Sequence, residues 1–337
     1  MTSTVTRDAK PKAADLQDIL RPIRDDLELV KTRLVDLLQT PVAKQAVYLI
    51  AAGGKQLRPA LVLLAGRSGD YERHREALID LAVAAELIHT ATLIHDDIID
   101  QAALRRQQPT FHQRFGTERA VLMGDYLYSV AFARLARLKD PAVMAEMAQV
   151  CERLSVGEFQ EVDSRFNVHL TEAQYLEIIR DKTASLIAIC CRLGAHVAGA
   201  APTVAERLGA FGINFGLAFQ IMDDCLDLMG EEHIVGKTLR SDLDKGSLSL
   251  PVIYLSQTLS AHQRHDLFTP LERHDPDEAF LARVGALARE SGAITKALDT
   301  ARVYLQRATD SLTDHEDLTG LFETYRQLAQ YARERVR

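Results

Sequence analysis

The chain is predicted to be all-α, a single large antiparallel helical bundle. Three observations predict it. Apolar residues recur with helical period from Ala13 to the C-terminus. No segment shows convincing strand alternation. Gly, at 18, and Pro, at 10 of 337 residues, both fall below their usual share, which disfavours a turn-rich β fold. With 47% hydrophobic and 26% charged residues, the chain can bury a sizeable core, so global disorder is excluded.

In order along the chain, residues 1–12 are polar and are expected to fray, and 13–337 are read as one domain. LQDILRPIRDDLELVKTRLVDLL places Leu16, Ile19, Leu20, Ile23, Leu27 and Leu34 at helical spacings. REALIDLAVAAELIHTATLIHDDIID is apolar nearly all round until its end, the pattern of a central helix covered on every side. A similar helix is predicted from about Val204 to Leu228. Break signals at Gly53-Gly54, Gly69-Asp70, Gln108-Pro109, Asp140-Pro141, Ala201-Pro202, Gly230, Asp275-Pro276 and Ser291-Gly292 cut the rest into about twelve or more helices with short connections. No linker or fixed-period repeat divides the chain.

The balance of 40 Lys+Arg against 47 Asp+Glu gives a net charge of −7, which argues against a binder of nucleic acid driven by phosphate neutralisation. Cys151, Cys190, Cys191 and Cys225 form no C-x-x-C pair and no metal spacing, so a reduced, cytoplasmic setting is expected. MTSTVTRDAKPKAAD has no apolar stretch after its charges, so no secretory signal is expected there. No run of about 20 apolar residues predicts a transmembrane helix.

Chemistry enters where the two apolar helices end. Asp96-Asp97-Ile98-Ile99-Asp100 closes one, and Asp223-Asp224-Cys225-Leu226-Asp227 lies near the end of the other. In each, the first and last Asp share a helix face, where like charges repel. A hard cation such as Mg²⁺ offsets that repulsion, keeps several waters and bridges carboxylates to phosphates. A single D-D-x-x-D reads more simply as a solvated helix end. Two copies, 127 residues apart and each following a long apolar helix, favour the metal. Neither has the spacing of an EF-hand loop.

Basic and polar residues stand nearby. Gly53-Gly54-Lys55-Gln56-Leu57-Arg58-Pro59 joins a Gly-Gly loop to a helix start, where backbone N–H groups attract anions, though it is not a Walker A loop. Arg105-Arg106 follows the first cluster. Spacing alone leaves plain ion pairing with the carboxylates and a clamp on an anionic ligand equally open. Lys182-Thr183 is taken to open a helix Thr183–Ala198. Gln220 precedes Asp223 by one turn, Lys237 lies in a Gly-containing loop, and His89 shares a face with Asp96. A lone His on such a helix is more often a hydrogen-bonded core residue.

The segments GGKQLRP, ELIHTATLIHDDIID, LRRQQPT, VLMGDYLYSVAF, DKTASLIAICCRLGA, FGLAFQIMDDCLDLMG and GKTLRSDLDKGSLSLPVIY together resemble the trans-type isoprenyl diphosphate synthases, the polyprenyl synthetases, and among them the medium- and long-chain bacterial members. They occur in family order over roughly residues 50–255. The resemblance implies helices around a deep central cavity, a homodimer, and condensation of isopentenyl diphosphate with an allylic diphosphate. It implies Mg²⁺, three per active site, on Asp96, Asp97, Asp100, Asp223, Asp224 and Asp227. Arg105, Lys182, Thr183, Gln220 and Lys237 would contact the allylic diphosphate, Lys182 within the catalytic set. Lys55, Arg58, His89 and Arg106 would bind isopentenyl diphosphate.

Two positions depart from the family pattern. Gln107 stands where Gly usually follows the paired Arg. The loop that often reads Gly-Lys before its Leu-Pro reads Gly246-Ser247, with Lys245 before the glycine. Short-chain members commonly carry Phe or Tyr at the places of Ala91 and Thr92. Small residues there imply an open tunnel and an all-trans product longer than C20, with Tyr126, Tyr128 and Phe132 as deeper candidates for its floor. The alternatives are a farnesyl or geranylgeranyl (C15 or C20) synthase, a terpene cyclase of class I, which would usually replace the second aspartate motif, and a non-catalytic partner subunit, which would lose aspartates.

Overall fold

The structure, a computed structural model, describes residues 15–51, 55–229, 241–313 and 318–334. The expected frayed segment 1–12, Gly53-Gly54, Gly230 and Lys237 lie outside them. The described chain is helical apart from one short ribbon, in the order α1 (Leu16–Ile19), α2 (Arg24–Leu37), α3 (Val47–Ala51), α4 (Leu57–Gly66), α5 (Tyr71–Ile99), β1 (Leu104–Arg105), β2 (Gln108–Pro109), α6 (Phe111–Phe115), α7 (Thr117–Arg137), α8 (Pro141–Ser164), α9 (Glu172–Ile179), α10 (Ser185–Val197), α11 (Pro202–Met229), α12 (Ser241–Asp244), α13 (Leu250–Thr258), α14 (Ala261–Glu272), α15 (Glu278–Glu290), α16 (Ala293–Asp310) and α17 (Thr319–Glu334).

Helix starts follow local chemistry. Asp70 caps α5 by accepting from Arg73 N (3.3 Å), and Asp140 caps α8 by accepting from Ala142 N (2.9 Å) with Pro141 at the first helical position. Thr171 with Gln174, and Ser260 with Gln263, form reciprocal capping boxes. The expected N-terminal helix is interrupted by a 3₁₀ turn at Arg21–Ile23, where Pro22 has no N–H to donate.

The centre is built from α4, α5, α10 and α11, with α7 along α5 and α16 along α11. α5 is long and apolar enough to cross a membrane, but 72% of its apolar window is buried inside the protein. The other central helices approach one another closely because the chain provides small residues at their crossings. A Cβ on Gly194 of α10 would lie 2.3 Å from the Val62 carbonyl oxygen of α4. On Gly212 and Gly216 of α11 it would lie 2.6 and 2.7 Å from the Cα atoms of Ala188 and Ala184. Beyond the crossing, Phe211 stacks on Phe215 and meets Tyr325 of α17 edge-on at 4.7 Å.

Two expectations are corrected. Strand pairing does occur: Leu104–Arg105 and Gln108–Pro109 form a two-stranded antiparallel ribbon with Arg105 opposite Gln108. Its turn residues, Arg106 (φ 52°) and Gln107 (φ 62°), are both left-handed, as a two-residue hairpin requires. Four residues are too few for alternation to register in the sequence. Second, no helix begins at Thr183. α9 continues through a π-helical turn, Arg180–Ala184, into α10, because no breaker or cap separates them and Ser185 Oγ donates back to Asp181 O (2.7 Å).

The α10–α11 crossing generates a prediction. Gly212→Val should force the helices apart and destabilise the protein by about 1–3 kcal/mol or more, read as a lower Tm. Gly320→Ala in α17, where nothing lies within 4 Å, should be neutral or raise it. Equal melting of Gly212→Val and wild type would show that the close approach is dispensable.

Candidate active site

The two aspartate clusters sit where the sequence pattern put them, at the end of α5 and near the end of α11, but their members face different surroundings. In each cluster the second aspartate is turned inward. Asp97 is 2% exposed, and Arg105 Nε and Nη2 both approach its Oδ1 at 2.8 Å. Burial pushes the Asp97 carboxyl above its ordinary value, with Arg105 opposing. Asp224 is buried too. It accepts from Tyr175 Oη (2.6 Å) of α9 and from Gln220 Nε2 (2.8 Å) one turn earlier on α11. Burial, with the negative charge of Asp242, holds its pKa well up.

Asp96, Asp100, Asp223 and Asp227 are the half-buried members. Burial raises the Asp96 carboxyl to about 7; Lys182 opposes and Glu158 adds to the rise. Both oxygens of Asp100 are taken, Oδ1 by Arg165 Nη2 at 2.7 Å and Oδ2 by Lys245 Nζ at 3.2 Å.

The π turn connects the clusters. Lys182 pairs with Glu158 (2.7 Å) and Glu161 of α8 and lies within electrostatic reach of Asp96. Burial works against its charge, but Glu161, Asp96 and Glu158 outweigh it and raise its pKa. Thr183, the next residue, points the other way. Its Oγ1 donates to Gln220 Oε1 (3.0 Å), and so into the Asp224 network. A regular α-helix would separate consecutive side chains by about 100°; the extra residue of the π turn shifts their register against α8. That shift demands Gly157 on α8, where a Cβ would lie 2.5 Å from Lys182 N.

The hairpin after α5 divides Arg105 from Arg106. Arg105 goes to Asp97, while Arg106 sits beside Glu86 at a cavity of about 40 Å³ that Gln56, Glu86, His89, Asp97, Arg105 and Arg106 help to line. Glu86, His89, Thr90, Leu93 and Asp97 form one stripe of α5 along it. Arg58 is half-buried close by, with its buried Nε lacking a partner, and desolvation lowers its pKa. Burial, joined by Arg58, Arg105 and Arg106, holds His89 well below its ordinary pKa, so its imidazole is neutral at pH 7. Burial raises the Glu86 carboxyl, opposed by Arg58 and Arg106. Lys55 stands apart from this group, exposed, with Nζ 5.2 Å from the Tyr331 ring centroid of α17.

Of the chain-length candidates, Ala91 has no exposed surface. Thr92 is half-buried one turn before Asp96, with Oγ1 donating to His89 O (2.8 Å). Tyr128 and Phe132, half-buried on α7, are one turn apart, and Tyr128 lies 6.3 Å from the His95 ring. Glu86, Glu158, Glu161, Arg165 and Tyr175 were not anticipated as site residues. Glu86 had a signal, a lone carboxylate one turn before His89 inside an apolar helix. Tyr175 had none.

These carboxylates, guanidiniums and short polar relays form two groups of charged and polar side chains on either side of Asp97, with apolar helix walls beside them. The Polyprenyl synthetase family profile matches residues 39–285. The chain is 37% identical over 289 residues, 85% of its own length and 88% of the relative's, to heptaprenyl diphosphate synthase component 2 of Geobacillus stearothermophilus. It is 34% identical over 310 residues, 90% and 75% of the two lengths, to chloroplastic solanesyl-diphosphate synthase 2 of Oryza sativa subsp. japonica. The structure is similar, with a TM-score of 0.89 at 32% identity over 97% of this chain and 99% of the other, to a polyprenyl synthase of Caulobacter crescentus complexed with calcium and isoprenyl diphosphate. The site geometry, the aspartate pair and these similarities lead to one conclusion: the chain belongs to the polyprenyl synthetase family and is a trans-prenyltransferase.

Proposed function

We propose that the chain adds isopentenyl diphosphate head-to-tail to an allylic diphosphate, with Mg²⁺, to give an all-trans product longer than C20. The observation that carries the metal reading is the split within each cluster. Asp97 and Asp224 are turned inward onto dedicated donors, whereas Asp96, Asp100, Asp223 and Asp227 are only half-buried, where an incoming ion can compete for their oxygens. Their hard oxygen donors fit Mg²⁺. Among the described residues, no three ligand-type side chains already meet as a metal site. Mg²⁺ keeps several waters and is commonly held by one or two carboxylates together with substrate phosphates.

Bound there, Mg²⁺ would neutralise the allylic diphosphate and make it a leaving group. The residues do the rest. Lys182, Thr183 and Gln220 orient that diphosphate from the π turn and α11, and Arg105, fixed by Asp97, presents its remaining guanidinium edge. Lys237, outside the described residues, is assigned to the same ligand by resemblance. Arg58, Arg106 and neutral His89 receive the diphosphate of isopentenyl diphosphate, Glu86 offsetting the charge of the arginines; Lys55 is placed with them by resemblance. The allylic C–O bond breaks with its electrons leaving on diphosphate. The C=C bond of isopentenyl diphosphate forms the new C–C bond, and a proton lost from the adjacent carbon restores a double bond. The departing diphosphate takes that proton. Apolar helix walls keep water from the cation.

A product beyond C20 is supported by the threonine one turn before Asp96 and by the names of the heptaprenyl and solanesyl synthases given above. A homodimer is supported by an apolar surface at one end of the α7–α8 hairpin, where Leu122 is 67% and Phe159 71% exposed, flanked by Val121, Val156 and Val162. Four free cysteines, three of them buried, suit a reducing cytoplasm.

Three outcomes are expected. In the metal-free protein, ionising Asp96 costs stability. The cost is absent below the unfolded pKa of about 4, grows as pH rises, and is complete above the folded value near 7. Metal-free Asp96→Asn should therefore melt above wild type at pH 8, the gain fading towards pH 5, while turnover with saturating Mg²⁺ falls by about a hundredfold or more. A gain independent of pH would refute the assignment. Product sizing after incubation with labelled isopentenyl diphosphate and each allylic primer should show chains beyond C20 for wild type and shorter ones for Thr92→Phe, since an aromatic there displaces the prenyl tail. A wild-type product of C15 or C20 overturns the length assignment. Sedimentation should show a dimer that Phe159→Glu dissociates; a wild-type monomer, active only with a different subunit, would point instead to the arrangement that "component 2" implies for the Geobacillus relative.

A further inference from the structure

Two loops meet at the end of the first aspartate cluster. One, Arg165-Phe166-Asn167, leaves α8; the other, Lys245-Gly246-Ser247, leaves α12. Phe166 N donates to Gly246 O at 2.8 Å. Phe166 (φ 62°) and Gly246 (φ 84°) are both left-handed, and a Cβ on Gly246 would lie 2.6 Å from the Phe166 ring. That ring stacks on His274 at 4.1 Å. The loops are thus docked backbone to backbone, and the residue before each docked position, Arg165 and Lys245, reaches one oxygen of Asp100. All three side chains are only 19–24% exposed, and Arg165 Nε is buried without a partner.

A carboxylate with a guanidinium on one oxygen and an ammonium on the other is not free to ligate. A metal that takes Asp100 must displace at least one cation, and a partly buried cation that loses its counter-ion needs another anion. The anion that reaction chemistry brings to this place is diphosphate. We propose that Lys245 and Arg165 are further diphosphate-binding residues of this enzyme, stored on Asp100 until metal and diphosphate arrive together. The proposal rests on the metal reading above.

The test uses the full chain and two probes, Mn²⁺ alone, followed by its electron paramagnetic resonance, and inorganic pyrophosphate with saturating Mg²⁺, followed by calorimetry. Lys245→Gln and Arg165→Gln remove a competitor, so each should bind Mn²⁺ alone about threefold or more tightly than wild type. Each should also bind pyrophosphate with Mg²⁺ about tenfold more weakly, while Ser247→Ala matches wild type and Arg165→Lys restores most of the affinity. Tighter Mn²⁺ with unchanged pyrophosphate would make the two cations mere ion-pair partners and overturn the proposal. Weaker Mn²⁺ alone would overturn it as well, by making them supports of the metal site. Wild type that binds neither probe overturns the metal reading along with it, whereas wild type that binds both, with variants indistinguishable from it, overturns this inference only. Should Arg165→Gln fail to fold, Lys245→Gln carries the test.

Discussion

Six carboxylates placed at the ends of two helices that are apolar almost all round impose the constraint to which the rest of the site answers. Each would gain free energy by staying in water, and packing takes part of that water away. The chain's response differs by position. The inward aspartates receive dedicated donors from separate elements: a guanidinium from the hairpin after α5 for Asp97, and a phenol from α9 with an amide from α11 for Asp224. Those donors orient each helix end, so the outer aspartates are aimed by their buried neighbours. Removing an inner aspartate would leave Arg105 or Tyr175 with an unmet polar group, the costlier side of hydrogen bonding.

The same constraint explains why backbone irregularity concentrates here. The π turn lets Lys182 and Thr183, adjacent in sequence, serve Asp96 and the Asp224 relay respectively, and it fits only because Gly157 brings α8 against its backbone. The hairpin with two left-handed residues sends Arg105 to Asp97 and Arg106 to the Glu86 cavity. Gln107 performs this turn at a cost of about 1–2 kcal/mol that glycine would not incur. The departure at Gln107 is therefore one of energy, with the geometry kept.

The sequence made the helical architecture legible because α5 and α11 carry unbroken apolar patterns and because Asp140-Pro141 and Ala201-Pro202 punctuate sharply. It also made both aspartate clusters legible, since duplication of a repelling spacing is hard to explain otherwise. It could not show that Asp97 and Asp224 differ from their neighbours, because helical phase relative to the core depends on what packs outside. Nor could it show the π turn: Arg180 to Ala184 has ordinary helix-forming composition, and the extra residue is set by contact with Gly157, distant in sequence. Glu158 and Glu161 stayed hidden for a related reason. They look like the solvated face of α8 until Lys182 is seen between them.

Charge pairing in the site follows from the same argument. The site holds several cations close together, and alone these would repel as the carboxylates do. The fold meets both problems at once by letting them neutralise each other: Arg105 with Asp97, Lys182 with Glu158 and Glu161, Arg58 and Arg106 with Glu86, Arg165 and Lys245 with Asp100. The pairs with the most buried carboxylates are the costliest to separate, since an inward Asp97 without Arg105 would keep a charge where little water reaches it. The pairs that exchange partners are the half-exposed ones, where water and incoming ions lower the cost of separation. By this criterion the Asp97–Arg105 pair is the harder to separate and the pairs on Asp100 the easier, although the two aspartates stand three residues apart in sequence.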